Sequence, residues 1–262
     1  MREFHAAFFT EYLKVVKSRV FWFSLLLFAF VSCMMGLIMF VQKYPELASK
    51  LGMIGTKANL FSFGGVSWTG YFGLLMQAVA AVGYIGFGFV TSWVFGREYS
   101  DKTLKDLLAL PVSRSMIVMA KFSVSAIWCM VLAGVFLLAA LIMGTAIGLP
   151  GWSPELFSSI GTRYAVTALL SLVLCWPAAF FACLGRGILL PIGFVILTLL
   201  VANFTGLVGL GPYFPWAIAG IYSTGASGEG MQLTIASYII LFSTGIAGFL
   251  ATLAWWRLAD HT

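Results

Sequence analysis

Charge is scarce in this chain. Fifteen Lys and Arg and nine Asp and Glu make up 9% of 262 residues, against about a quarter in soluble domains. The two histidines, His5 and His261, stand near opposite ends, and the four cysteines, Cys33, Cys129, Cys175 and Cys183, lie singly inside apolar runs. The thiols read as packing residues, no grouping has metal-ligand spacing, and no metal is expected. The dipeptide Gly-Lys never occurs, so the phosphate-cradling pattern G-x-x-x-x-G-K-[ST] is missing and the chain should not hydrolyse nucleotides itself. Gly206-x-x-Gly209-x-Gly211 has the wrong spacing for a dinucleotide loop. No Ser/His/Asp or paired-carboxylate arrangement falls inside the apolar runs, so an intramembrane enzyme lacks catalytic groups.

What the chain has is apolar sequence: 61% apolar and 16% aromatic residues. That composition excludes disorder and a soluble globule, and leaves a polytopic, all-α membrane protein. A crossing helix needs about 20 apolar residues. Six candidate spans are legible, at about 20–41, 68–95, 116–148, 164–184, 188–207 and 233–256, within a single transmembrane domain covering 1–262. The longest polar stretch, Arg97 to Lys121, is too short for a separate core. Trp176-Pro177 should kink the fourth span, and Gly185-Arg186-Gly187 makes a tight link to the fifth.

Residues 1–18 place Phe4, Phe8, Tyr12, Val15 and Val16 on one side of a helical wheel, with Glu3, Thr10, Lys14 and Lys17 opposite. Leu13 falls on the polar side. Both an interfacial amphipathic helix and a mixed cytoplasmic tail fit. With the N-terminus inside, eleven of the fifteen Lys and Arg become cytoplasmic and only Lys43, Lys50, Lys57 and Arg163 fall outside, which also brings the C-terminus inside. Residues 43–66, 149–163 and 208–231 are then external. The last of these, apolar but broken by Gly and Pro, reads either as a re-entrant gate or as a plain loop. The span centres carry no ionisable group, and their polar residues, among them Gln77 and Asn203, suit interhelical hydrogen bonds. Gly144-x-x-x-Gly148 suits close helix packing.

Charge concentrates in one connection, Arg97 to Arg114, which with Lys121 carries eight charges. Ser100 can cap a helix start, Pro111 disfavours helix before it, and Leu104, Leu107 and Leu108 share a face opposite Lys102, Lys105 and Asp106. Such a helix fits either a membrane-surface loop or a docking element for a soluble partner.

At these residues the sequence resembles the type 2 permeases of ATP-binding-cassette (ABC) transporters. Glu98, Thr103, Leu107, Leu108, Pro111, Val112, Ser113 and Arg114, followed by Ala120-Lys121, match the family's pattern after its second span. The family usually has Gly where Lys102 stands. Phe95-Gly96-Arg97-Glu98 and Tyr213-Phe214-Pro215-Trp216 resemble bacterial permeases of the bacitracin or lantibiotic export and immunity kind. The resemblance implies a multi-pass permease in the inner or plasma membrane that pairs with a second permease chain, the same or different, through spans one, two and five. It also implies a separate cytoplasmic ABC ATPase that binds ATP and Mg. Residues 97–115 would form the coupling segment, with Glu98, Thr103, Leu104, Leu107, Leu108 and Arg114 as ATPase-coupling residues. An amphipathic peptide antibiotic or lipid-like passenger fits an apolar interface; lipids are expected around the chain, and nucleic acid is not a partner. A membrane sensor or scaffold that transports nothing is the alternative.

Overall fold

The computed structural model describes residues 2–46, 65–103, 112–225 and 232–258, and these are helical throughout, with no strand among them. Six helices are long and apolar enough to cross a membrane: Arg19–Lys43, Trp68–Ser100, Arg114–Ile147, Pro154–Leu184, Leu189–Leu207 and Ile235–Leu258. They are spans 1 to 6 below. An N-terminal helix, Arg2–Val16, precedes them, and a short helix, Pro215–Thr224, lies between spans 5 and 6.

Local chemistry sets the helix starts. Ser18, Ser67 and Ser153 each stand in extended backbone, and their hydroxyls accept the N–H groups of Phe21, Gly70 and Leu156. Each satisfies one of the N–H groups that a helix start leaves without a partner. Ser153 with Pro154 behind it starts span 4 ten residues before Tyr164, the position expected from hydropathy, because Glu155 and Arg163 interrupt the apolar run without interrupting the helix. Span 2 likewise continues past Phe95 to Ser100. Ser100 therefore closes a helix rather than starting one, and its hydroxyl donates to the Gly96 carbonyl at 3.3 Å.

Spans 2 and 4 form the centre: 56% and 67% of their most apolar windows are buried, against 22% to 33% for the other four. Large apolar side chains left exposed on the peripheral spans, such as Leu26, Leu138, Leu200 and Ile239, suit contact with lipid. Span 3 packs on span 1 and on the N-terminal helix, while span 4 packs on spans 2, 5 and 6. The ends of span 1 and span 3 are tied by Lys43, whose ammonium donates to the Ile147 and Gly148 carbonyls at 2.7 and 2.6 Å. A cation there meets the negative end of the helix dipole.

Several expectations are corrected by packing. Gly144 and Gly148 do not form a helix-contact stripe: Gly144 makes room for the Trp68 ring, and Gly148 ends span 3 in the left-handed conformation, φ 68°. Asn203 donates to Leu199 O in its own helix and Gln77 is exposed. Links between helices instead come from Ser32 to Phe136 O (2.9 Å), Trp128 to Ser24 (3.1 Å), Thr91 with Ser125 (3.2 Å) and Tyr164 to Ala133 O (2.7 Å). A hydroxyl or indole placed among apolar side chains needs such a partner, whereas Asn203 satisfies itself locally.

The segment after span 5 is not a plain loop in its described part. Gly211–Tyr213 makes a 3-10 turn, and the Pro215–Thr224 helix packs on spans 4, 5, 6 and 2, burying Ala217, Ile218, Ala219 and Ile221. It dips into the end of the bundle away from the termini.

Span 4 breaks at Cys175, because Pro177 has no N–H and Ala178 bonds back to Cys175 O at 3.0 Å. Span 6 fits against this break with glycines: a Cβ at Gly248 would lie 2.5 Å from Pro177 Cα, and one at Gly245 would lie 2.9 Å from Val173 O. Main chain cannot step aside as a side chain can. Gly248→Ala is expected to cost about 1–3 kcal/mol, the range for overpacking, read as a lower melting temperature of the purified protein. Gly193→Ala, which would meet nothing within 4 Å, should not lower the melt and can raise it slightly, since Ala favours helix over Gly.

Candidate functional site

Five charged side chains from three helices meet at the end of the bundle that holds the termini. The N-terminal helix contributes Glu11 and Lys14, span 2 contributes Arg97 and Glu98 from its last turn, and span 3 contributes Lys121 two turns after its start. Lys121 has no exposed surface. Its ammonium donates to Glu98 Oε1 at 2.7 Å, Glu11 Oε2 at 3.1 Å and the Val94 carbonyl at 3.1 Å, which uses all three of its N–H groups.

Around that core, Lys14 lies 2.8 Å from Glu11 Oε1 and 3.5 Å from Glu98 Oε1. Arg97 lies 3.4 Å from each carboxylate and sits over the Trp93 ring, 4.5 Å from its centroid. Three cations face two carboxylates, leaving the group one positive charge in excess. Burial pushes the Glu11 carboxyl up, but Lys121, Lys14 and Arg97 outweigh it and hold the group at about 2, below its ordinary 4.5. The second Glu98 oxygen has no hydrogen-bond partner among the described residues.

The cluster rotates the N-terminal helix relative to the expected amphipathic face. Phe4, Phe8 and Tyr12 do run along one side, with ring centroids 6.1 and 6.5 Å apart, but Tyr12 is exposed while Glu11 and Val15 are buried. Hydrophobic periodicity cannot place a carboxylate on an inward face. The pairing of Glu11 with Lys121 spans 110 residues, and nothing local announces it. Glu98 pairs with Arg97, Lys121 and Lys14, whereas Lys102 is exposed.

Of the other expected coupling residues, Thr103 is exposed and its N–H bonds to Glu98 O at 3.0 Å, folding the chain back over the end of span 2. Lys102 makes that reversal in the left-handed region, φ 58°, a conformation glycine adopts without steric cost. Arg114 donates to Trp256 O at 3.3 Å, near the end of span 6. Leu104, Leu107 and Leu108 lie outside the described residues.

A second feature faces sideways from the bundle. Spans 1, 2 and 5 enclose a cleft of about 360 Å³ lined by Phe23, Leu27, Ile85, Phe89, Ile192 and Ile196. Its walls are almost wholly apolar, so it suits hydrocarbon or another apolar helix rather than an ion. No group of His, Cys, Asp or Glu among the described residues has the arrangement of a metal site.

Six apolar spans enclosing a short helix and a buried ion cluster define a multi-pass membrane protein. The model of the ABC-2 family transporter proteins matches residues 7–203, and the chain belongs to that family. It is thus of the permease kind and not itself the ATPase. The chain is also 26% identical over 218 residues to the bacitracin transport permease protein BCRB of Bacillus licheniformis, a match covering 83% of this chain and 97% of that protein. No solved structure matches the chain.

The position of the Glu11 carboxyl gives a pH signature. Because docking holds it near 2 while the undocked helix returns it to about 4.5, ionisation favours the docked state. That contribution is complete above about pH 4.5 and fades as the pH falls towards 2. Wild type should therefore melt above Glu11→Gln at pH 6, with the difference shrinking below pH 4.5. A difference that persists unchanged to pH 2 would show that charge does not hold the helix.

Proposed function

We propose that this chain is the membrane half of an ATP-driven exporter, with both termini cytoplasmic. In this reading two permease chains meet through spans 1, 2 and 5, a separate ATPase docks beneath each, and the passenger is an amphipathic peptide antibiotic or a lipid-like compound. The observation that carries the reading is the ion cluster. It locks the last turn of span 2 to span 3 and to the N-terminal helix, and the chain leaves that turn directly into residues 104–111. A push delivered there reaches the most buried spans through ion pairs enclosed by protein, where screening by salt is weak. Exposed pairs would contribute little.

The apolar cleft between spans 1, 2 and 5 supports a hydrocarbon-rich passenger or partner surface, and the name of the Bacillus relative supports a peptide antibiotic. Arg97, Lys102, Arg114, Arg186 and Arg257 share the end that holds the termini, as the excess of Lys and Arg on cytoplasmic loops requires. ATP and Mg belong to the partner ATPase in this reading. Leu104, Leu107 and Leu108 are its apolar anchors on that subunit, while Glu98, Thr103 and Arg114 hold the frame of the segment.

Reconstitution with the cognate ATPase in proteoliposomes tests the reading, with vectorial flux and passenger-stimulated ATP hydrolysis as readouts. A sensor or scaffold would bind its ligand and move nothing. Leu107→Asp places an unpaired carboxylate in the contact and is expected to weaken ATPase docking by about 2 kcal/mol or more, the scale of a lost anchor, with membrane insertion intact. Glu98→Ala leaves Lys121 paired with Glu11, so assembly should persist while transport per ATP falls. Lys50→Ala should change neither quantity. Wild-type docking and stimulation in Leu107→Asp would remove residues 104–111 from the coupling path.

A further inference from the structure

Inside a membrane a backbone carbonyl that loses its helical donor must find another, because water is not available to it. Span 4 creates two such carbonyls. Pro177 offers no N–H to Val173, and Ala178 turns back to Cys175 O, so Leu174 loses its donor as well. The donor that reaches Leu174 O is the Trp216 indole, at 3.3 Å. It comes from the short re-entrant helix, not from span 4. Trp216 stands edge-on to Phe194 of span 5, centroids 5.5 Å apart at 82°, and 5.4 Å from Phe214.

Span 2 is irregular at the same level. Its π-turn, Val79–Gly83, ends at Tyr84, and insertions of this kind frequently mark functional positions. Cys175, the residue of the span 4 break, donates through its thiol to Tyr84 O at 3.5 Å, and the Tyr84 hydroxyl pairs with Thr198 of span 5 at 2.8 Å. The re-entrant helix and spans 4, 2 and 5 are thereby joined in one polar path through an apolar interior.

We propose that Trp216 is a latch holding the re-entrant helix shut against the span 4 break, and that this break and the π-turn of span 2 are facing hinges that bend when it opens. Spans 2 and 4 are otherwise continuous helices whose ladders resist bending. Only at these two points is the i to i+4 pattern already interrupted. A single hydrogen bond in a membrane interior is worth about 0.6–1.7 kcal/mol, weak enough to break and reform during a transport cycle. Glycines 245 and 248 of span 6 lie against the break without side chains, so span 6 can follow the movement. The inference goes beyond the exporter reading and needs neither the ATPase nor the passenger for its test.

Hydrogen exchange of the full chain in lipid nanodiscs, resolved by mass spectrometry, reads the latch directly. Trp216→Phe keeps an aromatic ring and removes the N–H. Replacement of Trp216 by β-(3-benzothienyl)-alanine also keeps the bicyclic shape, so it serves if the phenylalanine variant folds poorly. In either protein residues 215–224 are expected to exchange about three- to eighteenfold faster than in wild type, the range that loss of one such bond allows, with residues 114–147 unchanged. Pro177→Ala restores an N–H, lets span 4 close its own ladder and takes away the acceptor, so it should speed residues 215–224 in the same way. Combining it with Trp216→Phe should then add nothing further. Wild-type exchange of residues 215–224 in the benzothienyl protein would overturn the latch, as would full additivity of the two substitutions. Loss of flux or of ATPase stimulation bears on the exporter reading and leaves this result intact.

Discussion

An ammonium group enclosed on every side dictates the arrangement at one end of this protein. Lys121 has no exposed surface, and an unpaired charge in such a place costs several kcal/mol. It must therefore be met by carboxylates, and these come from helices distant in sequence, Glu11 and Glu98. Meeting that requirement docks the N-terminal helix, sets the height of the last turn of span 2 against span 3 and decides where the chain enters residues 104–111. Arg97 and Lys14 then balance the second carboxylate. The group acts as a single joint because each member is held by at least two others.

The opposite end and the middle obey a different constraint, that backbone groups within lipid must be satisfied by protein. Lys43 closes the end of span 3, serine hydroxyls open spans 2 and 4, and Trp216 reaches the Leu174 carbonyl left free at the span 4 break. The irregular backbone thus falls where another element supplies the missing partner. Spans 2 and 4, the most enclosed of the six, are also the two that carry the interruptions. The peripheral spans are left to meet lipid or another chain, and the apolar cleft between spans 1, 2 and 5 lies on that outer side.

These two constraints bear on function together. Membership of the ABC-2 transporter family makes the chain a permease. In the exporter proposed above, the ionic joint at one end would receive a push and the single hydrogen bonds at the other would yield to it. The left-handed turn at Lys102, where the family usually has glycine, sits at the boundary of the joint.

The all-helical class, the six spans, the kink at Trp176-Pro177 and the charge-rich connection after span 2 were legible from composition and hydropathy, because desolvation of 20-residue apolar runs and the missing proline N–H act locally. Glu98 was legible through the pattern around it and Arg97 through adjacency. Lys121 was visible as the end of a charged stretch and as part of the family's pattern, and Glu11 as one residue of an amphipathic helix, but their pairing was not, since it joins positions 110 residues apart. Asn203 and Gln77 looked like interhelical partners by residue type. Ser24, Thr91 and Tyr164 took that role because of where their helices cross. The Trp216 contact likewise depends on the short helix after span 5 reaching the Leu174 carbonyl, which lost its donor when Ala178 turned back to Cys175 at the span 4 break. The sequence by itself determined that this chain crosses a membrane six times and where it bends, because those outcomes follow from solvation and local backbone chemistry. Which charges are buried, which carbonyls are latched and which face each helix turns inward were decided only by tertiary structure, because each requires two distant segments to satisfy one another where water cannot.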